Sequence, residues 1–269
     1  PGWLFAQHGC AMVGAVAVAL NTRYKARELA YILAQSDATA LLLTDHLGPV
    51  DYLETLGEVL PGLKSAVPGE LEAEGYPRLR HVIVTAEDPS PACRALPGVL
   101  DLPNHNPPDA GLDGAPAAVG PDDALTILYT SGTTSFPKGA IISHRNAVPH
   151  GWYCGEVLAV TPHDRALHAL PFSGTWGALN VPLTTLPHGG ALVLMEAFDP
   201  GVALHLMERE RVSIWNAVDA MAIAVLDHPD LGRRDRRALR TGGFGMTGGG
   251  GGRLFEEVLA DRRAFTKAP

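Results

Sequence analysis

Ten residues lie between two apolar runs: Thr130-Ser131-Gly132-Thr133-Thr134-Ser135-Phe136-Pro137-Lys138-Gly139. The run before them, Leu125-Thr126-Ile127-Leu128-Tyr129, predicts a strand, and a second short apolar run, Ala140-Ile141-Ile142, follows. A strand therefore delivers the chain into a loop of hydroxyls and glycine that ends in one lysine. That chemistry suits a polyphosphate. Glycine lets backbone N–H groups turn toward an anion, hydroxyls donate to phosphate oxygens, and lysine supplies positive charge. The loop is not the ordinary Gly-Lys-Ser/Thr phosphate loop that opens a helix. Pro137 precedes the lysine and Gly139 follows it, so the metal-binding hydroxyl after lysine is missing.

Around this loop, strand and helix patterns alternate. Helices are predicted over 26–35, 146–158, 200–211, 217–226 and 253–260. Strands are predicted over 39–44, 80–85, 166–170, 191–195, 212–215 and 239–242. The run Cys10–Leu20 predicts helix turning into buried strand. Such alternation implies an α/β fold of mostly parallel, helix-flanked sheets. Residues 86–121 carry eight prolines and no clear period. They divide the chain into an N-terminal βα section (1–85), a Pro-rich linker (86–121) and a phosphate-loop α/β section (122–269).

The bulk properties exclude several classes. A net charge of −8 argues against nucleic acid as partner. Three cysteines, Cys10, Cys93 and Cys154, are widely spaced and form no C-x-x-C pair, which suits a reducing cytoplasm. The eleven histidines include no H-E-x-x-H pattern, so no metal site built from protein nitrogen ligands is expected. The longest apolar run, Cys10–Leu20, is shorter than the roughly 20 residues of a membrane helix. The sequence opens inside a helical pattern at Pro1-Gly2 and ends where a strand is expected to begin. It therefore reads as part of a longer one.

The loop resembles the phosphate loop of the adenylate-forming superfamily, Thr-Ser-Gly-Ser/Thr-Thr-Gly-x-Pro-Lys-Gly. Ser135 stands where that family usually has glycine. The resemblance runs along nearly the whole chain. It takes in Ala15–Asn21 with the helix after it, Ile142-Ser143-His144-Arg145-Asn146, Leu170–Gly177, Pro187–Ala191, Asp227-His228-Pro229 and Leu239–Gly243. Gly174 replaces the family's histidine in Pro-x-x-His-x-x-Gly, and Gly245-Met246-Thr247-Gly248 stands where Gly-Gly-Ala-Pro is usual. The nearest likeness is to fatty-acyl-CoA synthetases.

The resemblance implies ATP-dependent activation of a carboxylic acid, a fatty acid by the nearest likeness, to acyl-adenylate and then acyl-CoA. ATP, Mg²⁺ and coenzyme A would be used. It implies that Thr130, Ser131, Gly132, Thr133, Thr134 and Lys138 hold the phosphates. Trp176, Met221 and Phe244 would line the acyl pocket, or serve as plain core. Gly245, Met246 and Thr247 would lie on the adenine side. The family's catalytic lysine and Mg-binding glutamate would fall outside these residues, so the 269-residue stretch alone is expected to be inactive. His144 would contact substrate or cap the following helix. The arginines Arg233, Arg234, Arg236, Arg237 and Arg240 would meet coenzyme A phosphates or form a solvated loop. A small-molecule acid is the expected partner, and self-association stays open. Two other readings stand beside this one. The chain is a non-catalytic synthetase remnant, or Gly243-Phe244-Gly245-Met246-Thr247-Gly248 is a G-x-G-x-x-G turn of an NAD-dependent Rossmann oxidoreductase, with Asp261 as its acid.

Overall fold

A computed structural model describes residues 1–66, 71–85, 99–101, 119–130 and 136–245 of the 269-residue chain. The chain divides into two compact units, Pro1–Ile141 and Ile142–Pro269. The expected α/β class with mostly parallel sheets is found in each.

In the N-terminal unit, helix α1 (Gly2–Met12) leads into strand β1 (Ala17–Ala19). Helix α2 (Ala26–Gln35) follows because Leu29, Ile32 and Leu33 share one face, and Ile32 and Leu33 are buried. Its first turn is closed by Glu28, whose carboxylate accepts the Lys25 N–H at 3.1 Å. Strand β2 (Ala40–Leu43) precedes a tight hairpin of β3 (His46–Leu47) and β4 (Val50–Asp51). Helix α3 (Tyr52–Val59) starts there, capped by Asp51, which accepts from the Leu53 and Glu54 N–H groups at 2.8 and 3.2 Å. Then come β5 (His81–Val84), β6 (Val99–Asp101), β7 (Ala124–Thr130) and β8 (Lys138–Ser143), the last crossing the division.

These strands form two three-stranded sheets, ordered β2-β5-β6 and β1-β7-β8. In the first, β5 pairs parallel with both neighbours, Leu41 opposite Val82 and Ile83 opposite Leu100. Leu33, Leu41, Leu56, Leu60, Leu63, Leu71, Leu79 and Val82 bury against one another there. In the second, β1 pairs parallel with β7, with Val18 opposite Ile127. The loop joining β7 to β8 is far too short for a parallel crossover, so these two neighbours run antiparallel.

The C-terminal unit opens with helix α4 (His144–Val157). Ser143, not His144, is its cap: Ser143 Oγ accepts the Asn146 N–H, and Asn146 Oδ1 accepts the Ser143 N–H, each at 3.2 Å. Strand β9 (Arg165–His168) is central, flanked in parallel by β10 (Ala191–Leu194) and β11 (Ile214–Trp215). Between β9 and β10 lie a π-helical turn, Trp176–Asn180, and helix α5 (Val181–Thr185). Helix α6 (Pro200–Arg209) begins with proline, as expected, and Asp199 caps it through the Val202 N–H at 2.8 Å. Strand β12 (Ala217–Val218), helix α7 (Asp219–Leu226) and strand β13 (Phe244–Gly245) complete the described elements, β12 pairing parallel with β13.

An ionised staple holds the short strands of this unit. The Asp164 carboxylate accepts from Arg240 Nε and Nη2 at 2.9 and 2.6 Å, from Ser213 Oγ at 2.6 Å and from the Thr161 N–H at 2.8 Å. Burial works to raise its pKa, but these donors outweigh burial and hold the carboxyl well below the usual carboxylate range. Arg240 also donates to the carbonyls of Leu158 and Ala159 at 2.9 and 2.8 Å.

One local expectation is revised. The strand expected at 239–242 is a single parallel bridge, Ile214 to Thr241, and regular pairing resumes only at β13. Gly242 explains why the chain can run so close here, since a Cβ there would lie 1.8 Å from the Trp215 carbonyl oxygen. Within the Pro-rich stretch, β6 extends the sheet built on β5. Strand β7 takes β1 as its parallel neighbour, so the strand before the phosphate loop shares a sheet with the start of the chain. The helix expected at 253–260 lies outside the described residues. Among the described residues no helix is long and apolar enough to cross a membrane.

Candidate functional site

Thr130 ends β7 and Lys138 begins β8, and both are exposed. Thr130 Oγ1 donates to the Lys138 carbonyl at 3.4 Å, so hydroxyl and lysine stand side by side at the mouth of the loop. Ser131, Gly132, Thr133 and Thr134 lie outside the described residues, as do Ser135, Met246, Thr247 and Asp261.

The two stems of the loop have firm partners. Thr126, buried in β7, donates to the Ala17 carbonyl at 2.6 Å and locks the strand to β1. The Tyr129 phenol donates to Gln35 Oε1 of α2. Burial pushes this phenol up, with the neighbouring Tyr31 and Tyr24 adding to the shift, so it remains a donor. On the returning stem, the Tyr31 hydroxyl donates to the Pro137 carbonyl at 3.3 Å, and its ring stacks on Phe136 with centroids 4.9 Å apart. Glycine is required at 139, where a Cβ would come within 2.8 Å of Ile127 Cγ2 and 3.2 Å of the Tyr129 ring. Tyr31 and Gln35 were not legible as site residues, because they contact the loop stems across 106 and 94 residues of chain. Only Tyr129, next to Thr130, carried a local signal.

In the C-terminal unit, the expected acyl-side residues share one neighbourhood. Trp176 belongs to the π-helical turn and packs against the cluster that includes Trp215 and Met221. Its ring lies on Gly245, where a Cβ would meet Cζ3 at 2.3 Å, and near Gly243, at 3.4 Å from Cζ2. Phe244 meets Trp215 edge-on, with centroids 5.7 Å apart and planes at 89°. Met221 is only 8% exposed and belongs to the core. Gly243 donates its N–H to Asn216 Oδ1 at 2.9 Å, fixing the approach of this segment.

His168, at the end of β9, is a further residue of this neighbourhood that its sequence context did not mark. It is 1% exposed, contacts the Gly177 carbonyl through Nε2 at 2.9 Å and stacks on Phe172 with centroids 4.5 Å apart. Burial pushes its pKa down, so the ring is neutral and Nε2–H is the donor to Gly177. It thereby pins both ends of the Pro171–Gly177 segment.

The arginine cluster is largely self-contained. Arg233 pairs with Asp230 at 3.2 Å, Arg234 with Glu208 at 3.0 Å, Arg237 with Asp235 at 2.7 Å and Arg240 with Asp164 at 2.6 Å. The dinucleotide turn fares poorly at its described end. In that motif the second glycine opens space for a pyrophosphate. Here the space above Gly245 is filled by the Trp176 indole. Among the described residues no group of three or more His, Cys, Asp or Glu side chains could hold a metal ion.

Known proteins resemble this chain along most of its length. A feruloyl-CoA synthase of an Amycolatopsis species is 34% identical over 244 residues, covering 90% of this chain and 41% of that protein. The mitochondrial medium-chain acyl-CoA ligase ACSF2 of Macaca fascicularis is 29% identical over 245 residues, covering 89% of this chain and 40% of that protein. The crystal structure of the anthranilate CoA ligase AuaEII in complex with anthranoyl-AMP superposes with a TM-score of 0.69 at 22% identity, over 90% of this chain and 43% of that one, and shows the same fold. The chain thus spans less than half the length of each of these three proteins. The AMP-binding enzyme family matches residues 1–267, and this chain belongs to that family.

Proposed function

We propose that this chain supplies the phosphate-binding and acyl-side portion of an acid–thiol ligase. In that ligase a carboxylate attacks the α-phosphate of ATP, forming an acyl-adenylate and releasing pyrophosphate. A thiol, coenzyme A, then displaces AMP to give the thioester. The observation that carries the reading is the exposed pairing of Thr130 and Lys138 at the mouth of the β7–β8 loop in a member of the AMP-binding family. A hydroxyl donor and an ammonium there suit phosphate oxygens and the charge of the leaving pyrophosphate. The intervening Ser131, Gly132, Thr133 and Thr134 would complete the cradle by resemblance.

The acid is proposed to be a fatty acid, supported by the medium-chain acyl-CoA ligase among the relatives. An aryl acid is the second reading. It is favoured by the aromatic neighbourhood of Trp176, Trp215 and Phe244 and by the feruloyl-CoA synthase relative. A net charge of −8 supports a small acid rather than nucleic acid as partner, and the widely spaced cysteines support a cytoplasmic setting.

The test is acid-dependent ATP–pyrophosphate exchange by the full natural polypeptide, with aliphatic and aryl acids in parallel. Lys138→Ala should slow exchange by about 10²-fold. Exchange at the wild-type rate removes Lys138 from this role. ATP binding without exchange on any acid favours a remnant that keeps the phosphate loop and has lost turnover. The same assay on the 269-residue stretch alone is expected to show none.

A further inference from the structure

Helix α2 presents three side chains one turn apart, Arg27, Tyr31 and Gln35, to the two stems of the phosphate loop. Gln35 takes the hydrogen bond of Tyr129 on the outgoing strand. Tyr31 binds the Pro137 carbonyl at 3.3 Å and stacks on Phe136, on the returning stem. Arg27 sits 5.8 Å from the centroid of the same Phe136 ring, within cation–π range. The Tyr129 ring also packs on Gly139, so one aromatic ring is wedged between the helix and both stems.

Between the stems themselves, the long 3.4 Å contact of Thr130 with Lys138 is weak. β1 pairs with β7 only as far as Leu128, and the ends of strands fray without lateral support. Beyond Leu128, α2 supplies contacts to both stems.

We propose that α2 is the positioning element of the phosphate-binding mouth: Tyr31 and Gln35 set the separation of Thr130 and Lys138, and through it the affinity for the nucleoside triphosphate. Neither side chain touches nucleotide; each acts through a stem. The proposal rests on the ATP-dependent reading above. A role in packing alone would lower stability and leave the nucleotide dependence unchanged.

The experiment is ATP–pyrophosphate exchange by the full natural polypeptide, with ATP varied at saturating acid and acid varied at saturating ATP. Tyr31→Ala and Gln35→Ala should each raise KM for ATP by about tenfold, while KM for the acid stays within about twofold. Gln35→Glu keeps an acceptor for the Tyr129 phenol and should restore KM for ATP. Tyr31→Phe keeps the stack, loses only the bond to Pro137 and should fall between wild type and Tyr31→Ala. This mild variant decides the matter if the alanine variants do not fold. A KM for ATP that is flat across the series overturns the positioning role. So does a parallel rise for ATP and acid that tracks a loss of thermal stability. Wild-type protein with no acid-dependent exchange overturns the ATP reading itself, and the two failures are thereby told apart.

Discussion

The fully buried cluster around β2 and β5 in the N-terminal unit is leucine and valine, whereas the C-terminal unit adds an ionised carboxylate to its apolar cluster. The two solutions respond differently to change. Each buried leucine contributes about 1.5–3 kcal/mol by leaving water, whichever neighbour it touches. An aliphatic cluster therefore tolerates a change of shape that keeps volume. The Asp164 staple is directional. Its five donors come from Thr161, Ser213 and Arg240, and those residues bring the end of α4, the start of β9 and the approach to β11 to one point. Loss of Asp164 leaves the Ser213 hydroxyl and the Thr161 donors without their acceptor, and Arg240 with only its carbonyl partners. Strands of two to four residues have too few ladder bonds to set their own order. The apolar cluster around Leu167, Ile214 and Trp215 holds them together, and the charged node adds a directional tie.

A large expected effect breaks this node. Asp164→Ala removes the acceptor of Ser213, Thr161 and Arg240 and should cost about 3 kcal/mol, because Arg240 is part-exposed and keeps its carbonyl partners. It would be read by urea unfolding with tryptophan fluorescence, which Trp176 and Trp215 report. A loss below about 1 kcal/mol would make the staple a surface ornament. Next, Leu56→Ala in the aliphatic cluster should cost about 2–5 kcal/mol and Leu56→Met less than about 1.5. If Leu56→Met is as damaging as Leu56→Ala, the contrast between the units fails. The corresponding mild change at the staple, Asp164→Asn, should not rescue, because the amide loses the charge that Arg240 needs. The smallest effect is in pH. The folded pKa of Asp164 is depressed, so its contribution is fully present above the unfolded value of about 4 and is lost as pH falls through the folded value. Stability of the wild type should fall on acidification below about pH 4, with a shallower slope in Asp164→Asn. Equal slopes would show that other carboxylates govern the acid limb.

The same contrast accounts for what could be read before any coordinates. Strands β2, β5 and β7 and helix α2 follow from local apolar period, which short-range sterics enforce. Helix α3 was missed although its signal is local: Asp51 caps it, and Leu53 and Leu56 recur on one face. Strand β6 is hidden because three residues in a Pro-rich stretch carry no period, and their order comes from β5 beside them. The phosphate loop was legible as chemistry, since ten consecutive residues hold its hydroxyls and lysine. Its support by Tyr31 and Gln35 was not, because a hydrogen bond closing 106 residues of chain leaves no trace in a window of ten. Likewise Trp176 and Gly245 could each be named, but the indole resting on the glycine depends on where β13 falls. The bond from Asp164 to Arg240 spans 76 residues and was equally hidden.

The turn at Trp176–Asn180 carries one residue more per turn than the α-helix it runs into. Removing a residue there would let the segment relax into α geometry and swing the indole by about 100° about the helix axis. Helix α5 and the sheet behind it would stay where they are. A one-residue change in length, rather than any change of side chain, is thus enough to turn a bulky ring toward or away from the segment that carries Phe244. In that sense the surplus residue works as a set-screw: small, and decisive for where the ring comes to rest.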